Sequence, residues 1–489
     1  MRAPAWLLLT SLSFGPAAYA NGRFPNASQI VAEPGNPSHL VARSTLGILV
    51  SRDDGAHWSW ICESAIAQKP LIDPPIATTA DGSILVATET GVFRGQGGGC
   101  AWARAAGAVR DREVVDLTVD ALAPARVYAI YRTLSAEGGS AAAVAVSSDN
   151  GATFTNTGPV IDDFFALTIE VAPSSSAVLY ASGTNATSDE QLFFRSDDGG
   201  TTWKRKTIGG VGTPYIGGVD PLAADVAYVR TDDAESALLV TTDGGDHFRS
   251  IFSSNQRLVG FAVSPNGRQI AVGSLGDGIV LLEKPEGDAG AWAADRVRPF
   301  STECFAWTPA GFYACSLEQM DGFAIGYAAD ARQPVVPLLK LPELVPLTCA
   351  DKPLDCAASW CDVSRQIGVD AGCTADAGLE GAADAAPALE AAPDTSPLNT
   401  APSSGCGCRV GASPRVRPSS MALLGAVSLL LSRARRAAPS TNEEREIHGA
   451  RVASRSSRVS PRFAVRCREA SSERKRGRAR WRLGRDRRR

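Results

Sequence analysis

Short apolar or alternating runs, four to a unit, recur along the first two-thirds of the chain. Around Ser51 they read QIVAEP, HLVARST, LGILVS and WSWICES. The scheme returns as LTIEVAP, AVLYASG, LFFRS and WKRKTI, and again as VGFAVSP, RQIAVGS, GIVLLE and WAADRV. Runs of this length, separated by Gly, Pro and Asn, predict short strands joined by tight turns. No helix-period segment of useful length interrupts them between Arg23 and Leu341.

Between the third and fourth runs sits a second regularity. SRDDGAHW (Ser51, Asp53, Gly55, Trp58), SSDNGATF (Ser147, Asp149, Gly151, Phe154), SDDGGTTW (Ser196, Asp198, Gly200, Trp203) and TTDGGDHF (Thr241, Asp243, Gly245, Phe248) share the pattern Ser/Thr-x-Asp-x-Gly-x-Thr/His-aromatic. Weaker echoes end at Trp102, Trp292 and Val335. Anchored on the Asp position, the seven copies fall at 53, 97, 149, 198, 243, 287 and 330. A period in the forties with four strands per unit predicts an all-β fold, a seven-bladed β-propeller of four-stranded antiparallel blades. In each box the Asp is placed to accept hydrogen bonds from the turn's own N–H groups. The Gly supplies a positive φ, the Ser or Thr hydroxyl satisfies a further backbone group, and the aromatic folds under the hairpin.

This pattern resembles the Asp-box, or BNR, repeat of sialidase-type propellers, found also in sortilin-type receptors and photosystem assembly factors. The resemblance covers about residues 23–341 and implies that the boxes lie on the blade periphery, away from the ligand face. A sialidase would need three arginines around a carboxylate, a Tyr nucleophile activated by Glu, and an Asp acid/base. The nearest segment to the Phe/Tyr-Arg-Ile-Pro mark of such enzymes is GRFP at Gly22–Pro25. The sequence singles out neither an arginine triad nor a Tyr–Glu pair. The box at Ser51 lacks the ligand series of a calcium loop. Of the four histidines, His57 and His247 take the box Thr position, leaving His39 and His448. No phosphate-cradling loop is present. These readings assign no catalytic, cofactor or metal residue. They favour a non-catalytic module that binds a protein or carbohydrate partner, with a sialidase-type glycoside hydrolase or a structural envelope protein as alternatives. Tyr128, Tyr131, Trp307 and Tyr313 lie near inner strands; packing between blades is the weightier reading for them, sugar stacking the other.

The chain ends bear on address. MRAPAWLLLTSLSFGPAAYA has the order of a secretory signal, cleaved after Ala20, so residues 1–20 are a signal peptide and 21–341 the propeller. Eight of the 11 cysteines lie between Cys62 and Cys373, which for an exported chain predicts disulfides. Adjacent blades bring Cys62 toward Cys100, and a hairpin pairs Cys304 with Cys315. Cys349, Cys356, Cys361 and Cys373 form a loop-rich module, 342–373, with three connectivities open. Residues 374–404, rich in Ala, Pro and Asp, read as a linker. Then come Cys406 and Cys408, the apolar run Met421–Leu431 and an Arg cluster ending at Arg436. This 405–436 segment resembles the MYXO-CTERM sorting signal, which implies processing near the Gly-Cys motif and retention at the cell surface. Residues 437–489 hold 17 Lys and Arg against 6 Asp and Glu, a net of +11. The remaining 32 basic and 46 acidic residues leave a body of −14. The tail reads as solvated and disordered rather than as a nucleic-acid contact.

Overall fold

The computed structural model describes residues 24–373, apart from 67–72, 211, 234, 286–290, 351–353 and 355. The expectations for Ala20, for the linker, for Cys406 and Cys408 and for the basic tail lie outside the described residues.

The alternating runs form seven sheets among the described residues, each built on an antiparallel meander of four strands. The first strands are Ala27–Glu33, Ile76–Thr78, Val114–Val119, Phe164–Ala172, Thr213–Val219, Gly260–Val263 and Thr302–Thr308. They lie innermost, each beside the next, and Thr302–Thr308 closes the ring against Ala27–Glu33. Middle strands such as Gly47–Ser51 and Ile84–Thr88 are buried on both faces, because each blade is sandwiched between two others. That explains why they read as continuous apolar runs. Outer strands such as Lys204–Thr207 and Ala293–Arg298 are largely exposed and carry the charge. Blade 3 adds Ala106–Gly107, parallel to Thr153–Asn156, and Ile161–Asp162 beside Ser140–Ser147.

Each box turn joins a third strand to a fourth. In blade 4 the Ser196 hydroxyl accepts from Gly200 N at 2.9 Å and donates to Asp198 at 2.8 Å. Asp198 accepts from Thr202 N at 2.8 Å and from its hydroxyl at 2.6 Å. Trp203 Nε1 donates back to Gly200 O at 3.1 Å. The same hydroxyl-to-Gly bond holds Gly55, Gly151 and Gly245, at 2.9, 2.9 and 2.8 Å. His57 and His247 take the Thr role, with Nδ1 at 2.6 and 2.7 Å from Asp53 and Asp243. These bonds hold the carboxylates down: the His57 contact lowers Asp53 to about 2, and the Thr202 hydroxyl lowers Asp198 to about 2.

Two consecutive left-handed residues shape every full box, which is why Asp54, Asn150, Gly199 or Gly244 precedes the box glycine. The glycine also lies hard against the preceding blade. A Cβ at Gly55 would stand 2.7 Å from Leu338, at Gly151 2.6 Å from Leu85, and at Gly245 2.7 Å from Phe193. Arg195, on the third strand of blade 4, reaches across to Asp225 at 2.6 Å and occupies the space beside Gly244. The box is therefore an inter-blade docking element as well as a hairpin staple.

The segment after blade 7 departs from expectation. Cys62 bonds Cys356, not Cys100, and Cys100 bonds Cys349. Cys361 pairs with Cys373, and Cys304 with Cys315 across adjacent strands. The Cys62–Cys100 expectation fails because the segment after blade 7 gives each cysteine its own partner: Val345–Pro346 pairs in parallel with Ser59–Cys62 as a fifth strand on blade 1, and Cys349 and Cys356 follow it. Nor is the segment all loop, since Ala357–Gln366 is a helix. Val363 and Ile367 share one core with Leu40, Trp58 and Trp60, and Trp360 packs 5.4 Å from Trp60. These residues form a clasp over the seam where the ring closes. Its disulfides fit an oxidising, extracytoplasmic setting. Among the described residues no helix is long and apolar enough to cross a membrane.

Candidate functional site

In a four-stranded meander the turns between strands 1 and 2 and between 3 and 4 lie at one end. The 2–3 turns and the blade-to-blade connections lie at the other. The boxes occupy the first end. A cavity of about 640 Å³ is lined from the second, by Asp73 and Glu113 ahead of blades 2 and 3, Glu89 in a 2–3 turn, and Val259 ahead of blade 6. The inner strands continue its wall.

A recurring β-bulge shapes that wall. Inner strands slip register just before Gln29, Asp116, Thr168 and Cys304. In blades 1, 3 and 4 the slip turns a side chain toward the following blade, where no backbone ladder runs, whereas Cys304 bonds Cys315 within blade 7. Gln29 bonds both N and O of Ile76, at 3.0 and 3.1 Å. Asp116 accepts from Ile169 N at 2.9 Å, and Thr168 from Ile216 N at 3.1 Å. These side chains satisfy backbone groups that the gap between blades would otherwise leave bare.

A second ring of ties comes from the second strands. Arg43 and Arg230 occupy the same register position, three residues past Leu40 and Ala227, which face the box residues Ser51 and Thr241. Arg43 donates to Asp73 O at 3.1 Å, and Arg230 to Leu258 O at 2.8 Å. Ser182 holds that position in blade 4 and donates to Pro214 O at 3.0 Å. In blade 3, Arg132 stands two residues further along a longer hairpin. It pairs with Glu113, donates to Ala166 O at 3.3 Å, and lies 3.8 Å above the Phe165 ring. The structure thus brings three arginines to one cavity, together with Tyr215, which the sequence did not single out. Each guanidinium is hydrogen-bonded to the wall, and Arg230 covers the Tyr215 ring at 4.8 Å.

Below Glu113 and Arg132, along the inner strands, lie Asp116 and Glu170. Both line the cavity. Burial pushes Asp116 up to about 7, against the pull of its bonds from Ile169 N and Leu117 N. Burial, with the neighbouring Asp116, pushes Glu170 up to about 8, and the Thr118 hydroxyl at 2.9 Å opposes it. Near neutral pH the two titrate as a pair. Among the described residues no cluster of three or more metal-binding side chains occurs.

The aromatics weighed from sequence do not line this cavity. Tyr128, Tyr131 and Tyr313 are buried between strands, and Trp307 packs against Phe312 at 5.4 Å. The cavity aromatics are Tyr215, Phe261 and Phe305. Phe261 covers Gly217, and Phe305 covers Gly260 and Gly273, where a Cβ would collide with the rings. His39 is buried against Glu33 at 2.7 Å, away from the cavity. Phe24 of the GRFP segment is exposed.

No protein-family model matches the chain, and no curated protein does. Solved structures do. An ancestral GH74 enzyme shares 15% identity, with 63% of this chain and 45% of that one covered, at a TM-score of 0.49. A GH74 xyloglucanase from Xanthomonas campestris shares 15%, covering 67% and 66%, at 0.33. The hydrazine synthase of Kuenenia stuttgartiensis shares 12%, covering 65% and 100%, at 0.46. The chain thus spans under half the length of that ancestral enzyme.

Proposed function

We propose that the protein is an exported, cell-surface binding module whose central cavity holds a carbohydrate. The observation that carries this reading is the make-up of the cavity: five carboxyl groups and three guanidiniums interleaved with Tyr215, Phe261 and Phe305. Sugars present hydroxyls that pair with carboxylates and guanidiniums, and C–H faces that stack on aromatic rings. A volume of about 640 Å³ is within the usual range for small-ligand sites. The signal-like residues 1–20, the Asp-box resemblance and the sorting-signal resemblance around Cys406 and Cys408 support export and surface retention. The residue boundaries of the linker and tail belong to the same reading.

A second reading rests on one specific observation. Asp116 and Glu170 are both raised toward neutrality, the condition for a carboxyl group to work as a general acid. A sialidase-type arrangement is less favoured, because Arg43, Arg132 and Arg230 are each hydrogen-bonded to wall groups. A glycan-array screen of the purified protein, with mass readout of any cleaved bond, separates these readings. Selective binding without cleavage, lost in Tyr215→Ala, supports the binding module. Cleavage replaces it with a hydrolase, and silence on both counts overturns the carbohydrate reading in favour of a protein partner or a structural envelope role.

A further inference from the structure

The wall of the cavity accounts for nearly every charge in it. Glu113 pairs with Arg132. Arg43 is tied to Ser28 through both its Oγ, at 3.0 Å, and its backbone O, at 3.1 Å, as well as to Asp73 O. Arg230 is tied to Leu258 O and covers the Tyr215 ring. Glu170 is different. Among the described residues its one hydrogen bond is from the Thr118 hydroxyl, although a carboxylate has about four acceptor sites. The carboxyl group beside it, Asp116, repels its charge, and Arg43 acts on Asp116 but not on Glu170. Glu170 therefore lacks a counter-charge of its own. Burying a second carboxylate beside Asp116 without one is costly, and a proton is the default relief.

Proceeding from the carbohydrate reading above, we propose that the cavity selects an amino sugar, a ligand whose protonated primary amine enters between Asp116 and Glu170 and supplies the missing positive charge. The chemistry fits on both sides. The ammonium donates three hydrogen bonds, which the open oxygens of Glu170 can accept. Tyr215 and Phe261, both half-buried in the wall, leave ring surface for stacking and cation–π contact with a cationic sugar, whereas Phe305 is buried beneath them. An anionic sugar would meet the carboxyl pair instead and be repelled. The other titratable groups on the wall are Asp73, Glu89, Glu113, Arg43, Arg132, Arg230 and Tyr215.

Binding an ammonium lowers both carboxyl pKa values, so capture near neutral pH releases protons from the pair. Titration calorimetry of the purified full chain, with glucosamine oligosaccharides and their N-acetylated counterparts as probes, tests this in two buffers of different ionisation enthalpy. The expected result is at least tenfold tighter binding of the free amine at pH 7.5. Its binding enthalpy should depend on the buffer, and its affinity should fall toward pH 5.5 as the pair is protonated. Glu170→Gln should abolish the preference for the amine, so that the two probes bind within about twofold of each other. An equal affinity for both probes would overturn this inference and leave the carbohydrate reading intact. Binding of neither would overturn both. A preference for the amine that persists in Glu170→Gln and in Asp116→Asn, each confirmed folded by its melting curve, would place the amine elsewhere and refute the assignment.

Discussion

Gly245 offers the sharpest test of what the box is for. Its φ is +99°, a conformation that a residue with a Cβ occupies at a cost of about 1 kcal/mol or more. A Cβ there would also stand 2.7 Å from the Phe193 ring. That ring cannot swing away, for it is held 5.1 Å from Tyr180 on one side and edge-on to Phe248 at 5.1 Å on the other. Overpacking so confined a contact costs about 1–3 kcal/mol more. Gly209 is the control: its φ is +72°, and nothing lies within 4 Å of the Cβ position. Gly209→Ala should lose about 1 kcal/mol and Gly245→Ala about 3, measured by urea unfolding. The effect of Ala on the unfolded chain is common to both and cancels in the difference. Adding Phe193→Leu should recover part of the Gly245→Ala loss, a coupling a double-mutant cycle reads directly. Equal costs for the two glycines would refute the docking role and leave the box a local turn.

The clasp should matter for stability because its disulfides span 294 and 249 residues. Replacing Cys62, Cys100, Cys349 and Cys356 together by Ala should cost on the order of 5 kcal/mol, while replacing Cys100 and Cys349 alone should cost less, because the other bridge still holds the ring closed; thermal melts report both. Glu170 is raised, so its favourable share of stability is complete below about pH 4.5 and is lost as pH rises through about 8. Glu170→Gln should therefore gain on the wild type with rising pH over that window, by up to about 1.4 kcal/mol per pH unit, as followed by unfolding at fixed pH steps. Asp53 is lowered, so the advantage of the wild type over Asp53→Asn should be full at pH 6 and shrink as pH falls below 4 toward 2; acid-denaturation midpoints check the sign.

What the sequence disclosed follows the range of the interactions. A box closes within eight residues, the bonds of its hydroxyl and carboxylate are local, and so its copies count the blades. Cys304 and Cys315 are 11 residues apart in one hairpin and are equally readable. Cys62 and Cys356 are joined only by the closure of the whole ring, which no local pattern encodes. The cavity is harder still, since each blade contributes only a few residues. Arg43 stands 8 residues before Ser51 and Arg230 stands 11 before Thr241, because the intervening turns differ in length. A fixed offset from the box misses this equivalence, and only the strand register restores it. The box Asp-x-Gly signal, by contrast, says nothing of its own docking partner, which is Leu338 for one box, Leu85 for another and Phe193 for a third.

The inner-strand bulge separates what the fold needs from what it does not. At that position blade 1 uses Gln29 and blade 4 uses Thr168, neutral side chains that bridge to the next blade. Asp116 makes the same bridge to Ile169 N, yet brings an ionisable group that the bridge does not require. An amide oxygen would accept that bond equally well, and Asn gives up only the local bond from Leu117 N to the other oxygen. Asp116→Asn should therefore fold with stability equal to or above the wild type at pH 8, where the carboxyl group is ionised at a cost. It should lose the tight binding of the cavity ligand at the same pH. The two measurements pull apart the two roles: a variant that is both less stable and still able to bind would make Asp116 a structural bridge alone. A stable variant that no longer binds would mark the carboxyl group as a feature the propeller carries for its ligand.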